Sequence, residues 1–320
     1  EHTMKALVCD ALGPIDGLRL REAPVPLPGA RQVRIAVQAA SLNLPDLLMV
    51  QGQYQVTPPL PFVPGVEYAG VVEAVGADVT RVRTGDRVVA FGVGGFAECA
   101  LADEAAVAAL PASMPFEHGA AFFVTYCTSL RGLRQCGRLQ PGETLLVLGA
   151  AGGVGLAAVE IGKALGATVI AAASSPEKLE LCRAHGADHA IDYSRESLRE
   201  RLDAITAKRG IDVVYDPVGG DLTEQALRAL RWRGRLLVVG FAAGSIPKLP
   251  ANLALLRERS IVGVYWGESV SREPREQADN VRQLLEWYAQ GRIAPVIADR
   301  VPLEGVVDAM RRLAPRAISG

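Results

Sequence analysis

Residues 144–167, TLLVLGAAGGVGLAAVEIGKALGA, decide the fold. Leu145, Leu146, Val147 and Leu148 form a short continuous apolar run, as expected of a strand covered on both faces in a parallel sheet. A turn follows in which Gly149, Gly152, Gly153 and Gly155 stand where the backbone must bend and let a ligand come close. Leu156, Val159, Ile161 and Leu165 then supply the apolar face of a helix. A helix starting there turns unpaired N–H groups and the positive end of its dipole toward whatever lies over the turn, which suits a pyrophosphate. Against the G-x-G-x-x-G pattern the turn reads Ala150, Ala151, Gly152, Gly153, Val154, Gly155, with Ala at the first place. Glycine turns of this kind also occur where nothing binds, so the surroundings must carry the assignment.

Downstream, strands and helices alternate. Strands are expected at 168–173, 189–191, 212–215 and 235–239, with helices at 176–185, 196–208 and 222–230. That alternation predicts an α/β fold with a doubly wound parallel sheet. Residues 260–265 read as its last strand, which at an edge could pair with a second copy of the chain. Upstream, residues 5–121 are rich in β-branched residues broken by Gly and Pro. Short strands at 33–39, 68–75, 87–91 and 96–100 predict a mostly β domain. The tail from Asp279 turns helical, passes through VIADRVPL and ends in a helix at 303–313, which is expected to rejoin the first domain. The expected division is 4–122 with 265–320, and 123–264 for the parallel-sheet domain.

Composition bounds the function. The net charge of −1 argues against a general nucleic-acid or membrane-surface binder. Hydrophobic residues make up 49% of 320, yet no uninterrupted apolar run nears the roughly 18 residues that cross a bilayer. Residues 1–3 read as a remnant ahead of a start at Met4, with no secretory signal after it, so a soluble, cytoplasmic protein is expected. Cys9, Cys99, Cys127, Cys136 and Cys182 are scattered, with no metal-site spacing. Cys127 reads as a buried inert thiol.

The cofactor type turns on one position. An acid about 20 residues past the glycines usually holds the ribose 2′-hydroxyl of NAD, and residues 172–174 carry none. AAASSPEK offers Ser174, Ser175 and Lys178 instead, two hydroxyls and a cation that suit a 2′-phosphate and favour NADPH. The same residues also make a sufficient helix N-cap, and both readings can hold at once. Gly240 and Phe241, after the strand RLLVVG, and residues 216–219 are candidate walls for the nicotinamide half, since ligands gather at the C-terminal strand ends.

With SLNLPD at 41–46, QGQY at 51–54, PGVEYAGVVEAVG at 64–76, GDRVVAF at 85–91, GAAGGVG at 149–155 and GADHAIDY at 186–193, the chain resembles the medium-chain dehydrogenase/reductase superfamily, and within it the zinc-independent quinone oxidoreductase (zeta-crystallin-like) branch. The resemblance implies a Rossmann domain and a GroES-like domain, while the edge strand at 260–265 suggests a homodimer. It places Asn43 and Val66 where zinc-dependent relatives carry Cys and His, and Glu67 alone cannot assemble a zinc site. By resemblance Lys178 and Tyr193 hold the 2′-phosphate end of NADPH with Ser174 beside them, while Ala151, Gly152, Gly153 and Val154 form the phosphate turn. Asn43 and Thr128 match positions near the nicotinamide ribose and the substrate. Tyr54 aligns with the catalytic tyrosine of mitochondrial-type enoyl thioester reductases. Leu48 and Val50 replace an aromatic and a basic residue, which implies a more apolar pocket.

Without zinc there is no Lewis acid for simple alcohols, so the expected reaction is hydride transfer from NADPH to a quinone or another conjugated carbonyl. Asn43 would position the acceptor and Tyr54 donate a proton or stabilise the enolate oxygen. The plainer alternatives are a turn role for Asn43 and a loop-packing role for Tyr54. Asp46 has a sufficient reason as a helix cap. Competing functions are an enoyl-thioester or 2-alkenal reductase, and a non-catalytic NADPH-binding sensor or structural protein.

Overall fold

The computed structural model describes residues 2–319, with side chains through 314; of the expected N-terminal remnant, Glu1 lies outside the described residues, as does Gly320. Among the described residues two units form, 2–124 with 295–316, and 125–294 with 317–319.

The first unit is β-rich. Strands β1 (Thr3–Val8) and β2 (Arg19–Pro24) make an antiparallel pair. Strands β3 (Gln32–Ser41), β4 (Glu67–Val75), β5 (Arg87–Phe91), β6 (Cys99–Asp103) and β7 (Val107–Ala109) form an antiparallel sheet in the order β6-β3-β4-β5-β7. Alternation puts Val33, Ile35, Tyr68, Val72 and Val88 into its core. The strand expected at 96–100 starts three residues later. Residues before it serve β1 instead: Leu7 N–H donates to Phe96 O at 2.9 Å and Glu98 N–H to Lys5 O at 3.0 Å. A helix Leu44–Val50 links β3 to the loop before β4 and carries Pro45 in its first turn, where a missing N–H costs nothing.

The second unit is a six-stranded parallel sheet, with β8 (Thr144–Val147), β9 (Thr168–Ala173), β10 (His189–Asp192), β11 (Ile211–Asp216), β12 (Leu230–Val238) and β13 (Ser260–Gly263) ordered β10-β9-β8-β11-β12-β13. Leu145, Leu146 and Val147 are all fully buried, because helices cover both sheet faces. Each such side chain contributes about 1.5–3 kcal/mol of transfer free energy. Strand β12 begins five residues before its expected start. Its pairing with β11 is irregular, Ile211 opposing Leu230 but Val213 opposing Arg235, and that irregularity absorbs RWRG at 231–234.

Two expectations need correction. Residues 265–294, assigned from sequence to the first domain, belong to the second unit. Helix Pro274–Ala289 is tied there by Gln135 and Asn280, which exchange two amide hydrogen bonds of 3.0 Å, and by Arg131, which pairs with Glu273 and Glu276. The last strand, expected at 260–265, ends at Gly263, and the helix Trp266–Arg272 follows it.

Candidate functional site

In the second unit the opening glycine turn joins β8 to the helix Gly153–Ala164, with Gly152 at its N-cap. The turn is tight. A Cβ on Gly155 would lie 2.2 Å from the carbonyl oxygen of Gly149, and Gly149 itself has φ +56° with Val218 against it. Ala150 is buried, its N–H donating to Ala172 O at 3.0 Å, so this position tolerates the methyl group that Gly155 does not. Leu156 N–H is taken by Gly152 O at 2.8 Å. The N–H groups of Gly153, Val154 and Gly155 have no carbonyl one turn back to receive them. Gly152 and Gly153 are exposed, and Ala151 and Val154 are half-buried, so the mouth of the turn is open to a ligand.

At the end of β9 the structure brings together three sequence-predicted residues. Lys178 Nζ donates to Ser174 Oγ at 3.1 Å. Tyr193 follows β10, its N–H on Ala173 O at 3.2 Å. Burial pushes its phenol pKa up, and a side-chain hydrogen bond with Ser174 opposes that shift. Ser175 caps the helix Pro176–Ala184 by accepting Lys178 N–H at 3.3 Å, so the capping role and the convergence coexist. Among the described residues no carboxylate forms an ion pair with Lys178, and its cation is left to a ligand. A cradle that one Cβ would fill, beside a corner of two hydroxyls and an unneutralised ammonium, fits a dinucleotide that ends in a ribose phosphate. Sequence reading missed Ser194 and Asp192, which pin this corner. Asp192 Oδ1 accepts from Ser194 N–H at 3.0 Å and from Ser194 Oγ at 2.5 Å.

Gly240 and Phe241 lie beside residues 216–219. Ala242 N–H donates to Pro217 O at 3.1 Å and Ala243 N–H to Val218 O at 2.9 Å, which joins the two loops at the ends of β11 and β12. Asp216 is buried and organises its own loop, accepting from Val218 N–H, Gly219 N–H and Thr223 Oγ1. Phe241 is 40% exposed. Half-buried Thr128 opens a short helix whose next residue, Ser129, donates to Val154 O at 2.8 Å and meets Tyr215 Oη at 2.9 Å. The Thr128 segment is thereby bolted to the first turn of the glycine helix.

In the first unit Asn43 precedes the helix Leu44–Val50 and is gripped by two carboxylates. Asp46 accepts Asn43 N–H at 2.8 Å, and also Gly65 and Val66 N–H at 3.1 and 3.0 Å. This is more than the cap expected of it: fully buried Asp46 holds the β4 approach in place. Glu67 accepts from Asn43 Nδ2 at 3.2 Å, Ser41 Oγ at 2.9 Å and Val124 N–H at 3.1 Å. Burial pushes both carboxyls up to about 7 against their hydrogen bonds. Tyr54 is half-buried against the cluster of Leu47, Met49, Val50 and Phe62. That cluster corrects one expectation: Val50 is 1% exposed in the core, so its side chain does not shape a substrate pocket, whereas Leu48 is half-buried.

A carboxyl raised by folding takes up a proton between its unfolded value and about 7, so stability falls as pH rises through that window. Glu67→Gln removes its share of the slope. Urea unfolding should show the wild type losing ground to E67Q by up to about 3 kcal/mol between about pH 5 and about pH 8. A constant gap between the two would show that Glu67 does not titrate in that range.

Among the described residues no group of three or more His, Cys, Asp or Glu side chains is placed to hold a metal ion. Asn43 and Val66 are not zinc ligands, and both Glu67 oxygens already accept hydrogen bonds, so the residues present do not fit a zinc. Cys9, Cys99, Cys127 and Cys182 are buried. Among the described residues no helix is long and apolar enough to cross a membrane.

Residues 153–289 match the family described as zinc-binding dehydrogenase, and residues 29–112 the alcohol dehydrogenase GroES-like domain. Quinone oxidoreductase-like protein 2 of Bos taurus is 40% identical over 291 residues, 90% of this chain and 83% of that protein. The crystal structure of Escherichia coli quinone oxidoreductase complexed with NADPH superposes with a TM-score of 0.88 at 29% identity, over 98% of this chain and 97% of that one. CurK enoyl reductase gives 0.87 at 28%, over 99% and 96%.

Proposed function

This chain belongs to the zinc-independent quinone oxidoreductase branch of the medium-chain dehydrogenase/reductase superfamily, and from that premise we propose that it is an NADPH-dependent reductase of quinones or other conjugated carbonyl compounds. The observation that carries the cofactor choice is the corner of Ser174, Lys178 and Tyr193, with no acid at the end of β9. The reduced nicotinamide, when bound, supplies the hydride.

The chain's own residues bind, orient and protonate. N–H groups of Gly153, Val154 and Gly155 take the pyrophosphate, and Lys178, Ser174 and Tyr193 take the 2′-phosphate. Ala151 and Gly152 keep the approach open, and Gly240 and Phe241 flank the nicotinamide half. Asn43 and Thr128 position the acceptor. Tyr54 donates a proton to, or hydrogen-bonds, the oxygen that gains charge as the acceptor is reduced. The exposed edge strand β13, whose Ile261 is 43% exposed, supports a homodimer in which two sheets continue one another. A cytoplasmic enzyme with a small-molecule partner is the reading that follows.

Similarity to an enoyl reductase keeps enoyl thioesters among the acceptors to be tested. Tyr54→Phe separates the roles: with an enone at saturating NADPH, kcat is expected to fall about a hundredfold, the usual worth of a proton donor. Unchanged kcat would leave Tyr54 a loop-packing residue. Protein that binds NADPH yet oxidises it with no quinone, enone or enoyl thioester would favour a sensor.

A further inference from the structure

Glu67 is a buried carboxyl group with no cation placed beside it. It is 0% exposed at the start of β4, directly opposite Ser41 at the end of β3. Among the described residues no lysine, arginine or histidine pairs with it, and every partner is a neutral donor. One oxygen, Oε2, takes Ser41 Oγ at 2.9 Å and Asn43 Nδ2 at 3.2 Å; the other, Oε1, takes Val124 N–H at 3.1 Å. Asn43 Nδ2 also donates to Ser41 Oγ at 3.0 Å, which closes a three-membered ring of hydrogen bonds.

Two features of this arrangement are costly if it serves the fold alone. Burying an unpaired carboxylate is unfavourable, and an apolar trio at 41, 43 and 67 would avoid the penalty. Only a carboxylate accepts at both oxygens, because an amide of the same length turns its NH₂ toward one of the donors. The ring therefore holds the Asn43 carboxamide with its nitrogen turned inward, while Asp46 fixes the same residue's backbone from the other side.

We propose that Glu67 is a positioning residue for the reduction: with Ser41 it locks the Asn43 side chain in the orientation in which Asn43 meets the acceptor. This rests on the role given to Asn43 above. Glu67 touches neither cofactor nor acceptor and acts through Asn43.

A double-mutant cycle on the full chain tests it, with NADPH and 1,4-benzoquinone, reading kcat, KM for the quinone and Kd for NADPH in Asn43→Ala, Glu67→Gln and the double variant. Glu67→Gln is expected to lower kcat about tenfold with NADPH Kd changed less than about twofold, and to lose nearly all of that effect in the Asn43→Ala background. Independent, multiplying effects, or an unchanged kcat in Glu67→Gln, would overturn the proposal. If Glu67→Gln does not fold, Ser41→Ala opens the same ring at a half-buried hydroxyl. A fall in kcat of about threefold that vanishes in the Asn43→Ala background supports the lock, and a fall that persists there refutes it. Wild-type kcat in Asn43→Ala alone removes the Asn43 role, and this inference with it. Loss of Asn43→Ala activity beside a silent Glu67→Gln removes only the inference.

Discussion

Gly155→Val is expected to abolish NADPH binding, with Kd raised more than about a hundredfold, and to destabilise the second unit by about 1–3 kcal/mol. A Cβ there would stand 2.2 Å from Gly149 O and 2.9 Å from Ala150 Cα, and both are backbone atoms that no rotamer change can clear. Relief requires the helix Gly153–Ala164 to back away from the turn, which carries its free N–H groups off the pyrophosphate position. Gly17→Ala is the control, since Gly17 has open space around it and no left-handed φ. Fluorescence titration with NADPH, beside a thermal melt of each variant, measures both effects. Near-normal NADPH affinity in a folded Gly155→Val protein would mean that the turn does not hold the dinucleotide.

Lys178→Ala is expected to raise the NADPH Kd by about ten- to a hundredfold and to leave the NADH Kd within about twofold. A charge-assisted hydrogen bond to a phosphate contributes about 1.5–3 kcal/mol, and NADH has no group there to lose. The side chain already points into the corner, on Ser174 Oγ, so little ordering is needed on binding. Added salt should narrow the gap between wild type and variant, because the lost term is electrostatic. Equal weakening for NADPH and NADH would instead mark Lys178 as a support of the helix Pro176–Ala184.

The parallel sheet and its glycine turn were legible in the sequence because burial on both faces leaves uninterrupted apolar runs such as Leu145 to Leu148, and because Gly155 answers a local demand. β9 at Thr168–Ala173 and β5 at Arg87–Phe91 fall where pattern alone placed them. Features set by distant partners were not legible. The stretch from Phe96 to Glu98 has strand character, yet which strand it serves depends on β1, far away in sequence. Val50 reads as a pocket residue until the helix Leu44–Val50 turns it inward. Glu67 carries no periodic signal at all: a lone acid in GVEYAG is buried only because Ser41, Asn43 and Val124, the last 57 residues on, bring it donors. Of the predicted site residues, Ser174, Lys178 and Tyr193 meet in one corner, whereas Tyr54 and Asn43 are placed in the first unit and Thr128 in the second.

The most direct test of the account is the rate at which the protein consumes reduced nicotinamide with 1,4-benzoquinone, an enone and an enoyl thioester, using NADPH and NADH in turn. Acceptor-dependent oxidation is expected, with kcat/KM at least about tenfold higher for NADPH, the discrimination that one charge-assisted phosphate contact supplies. Tight NADPH binding without turnover on any acceptor, or equal rates with NADH, would contradict it.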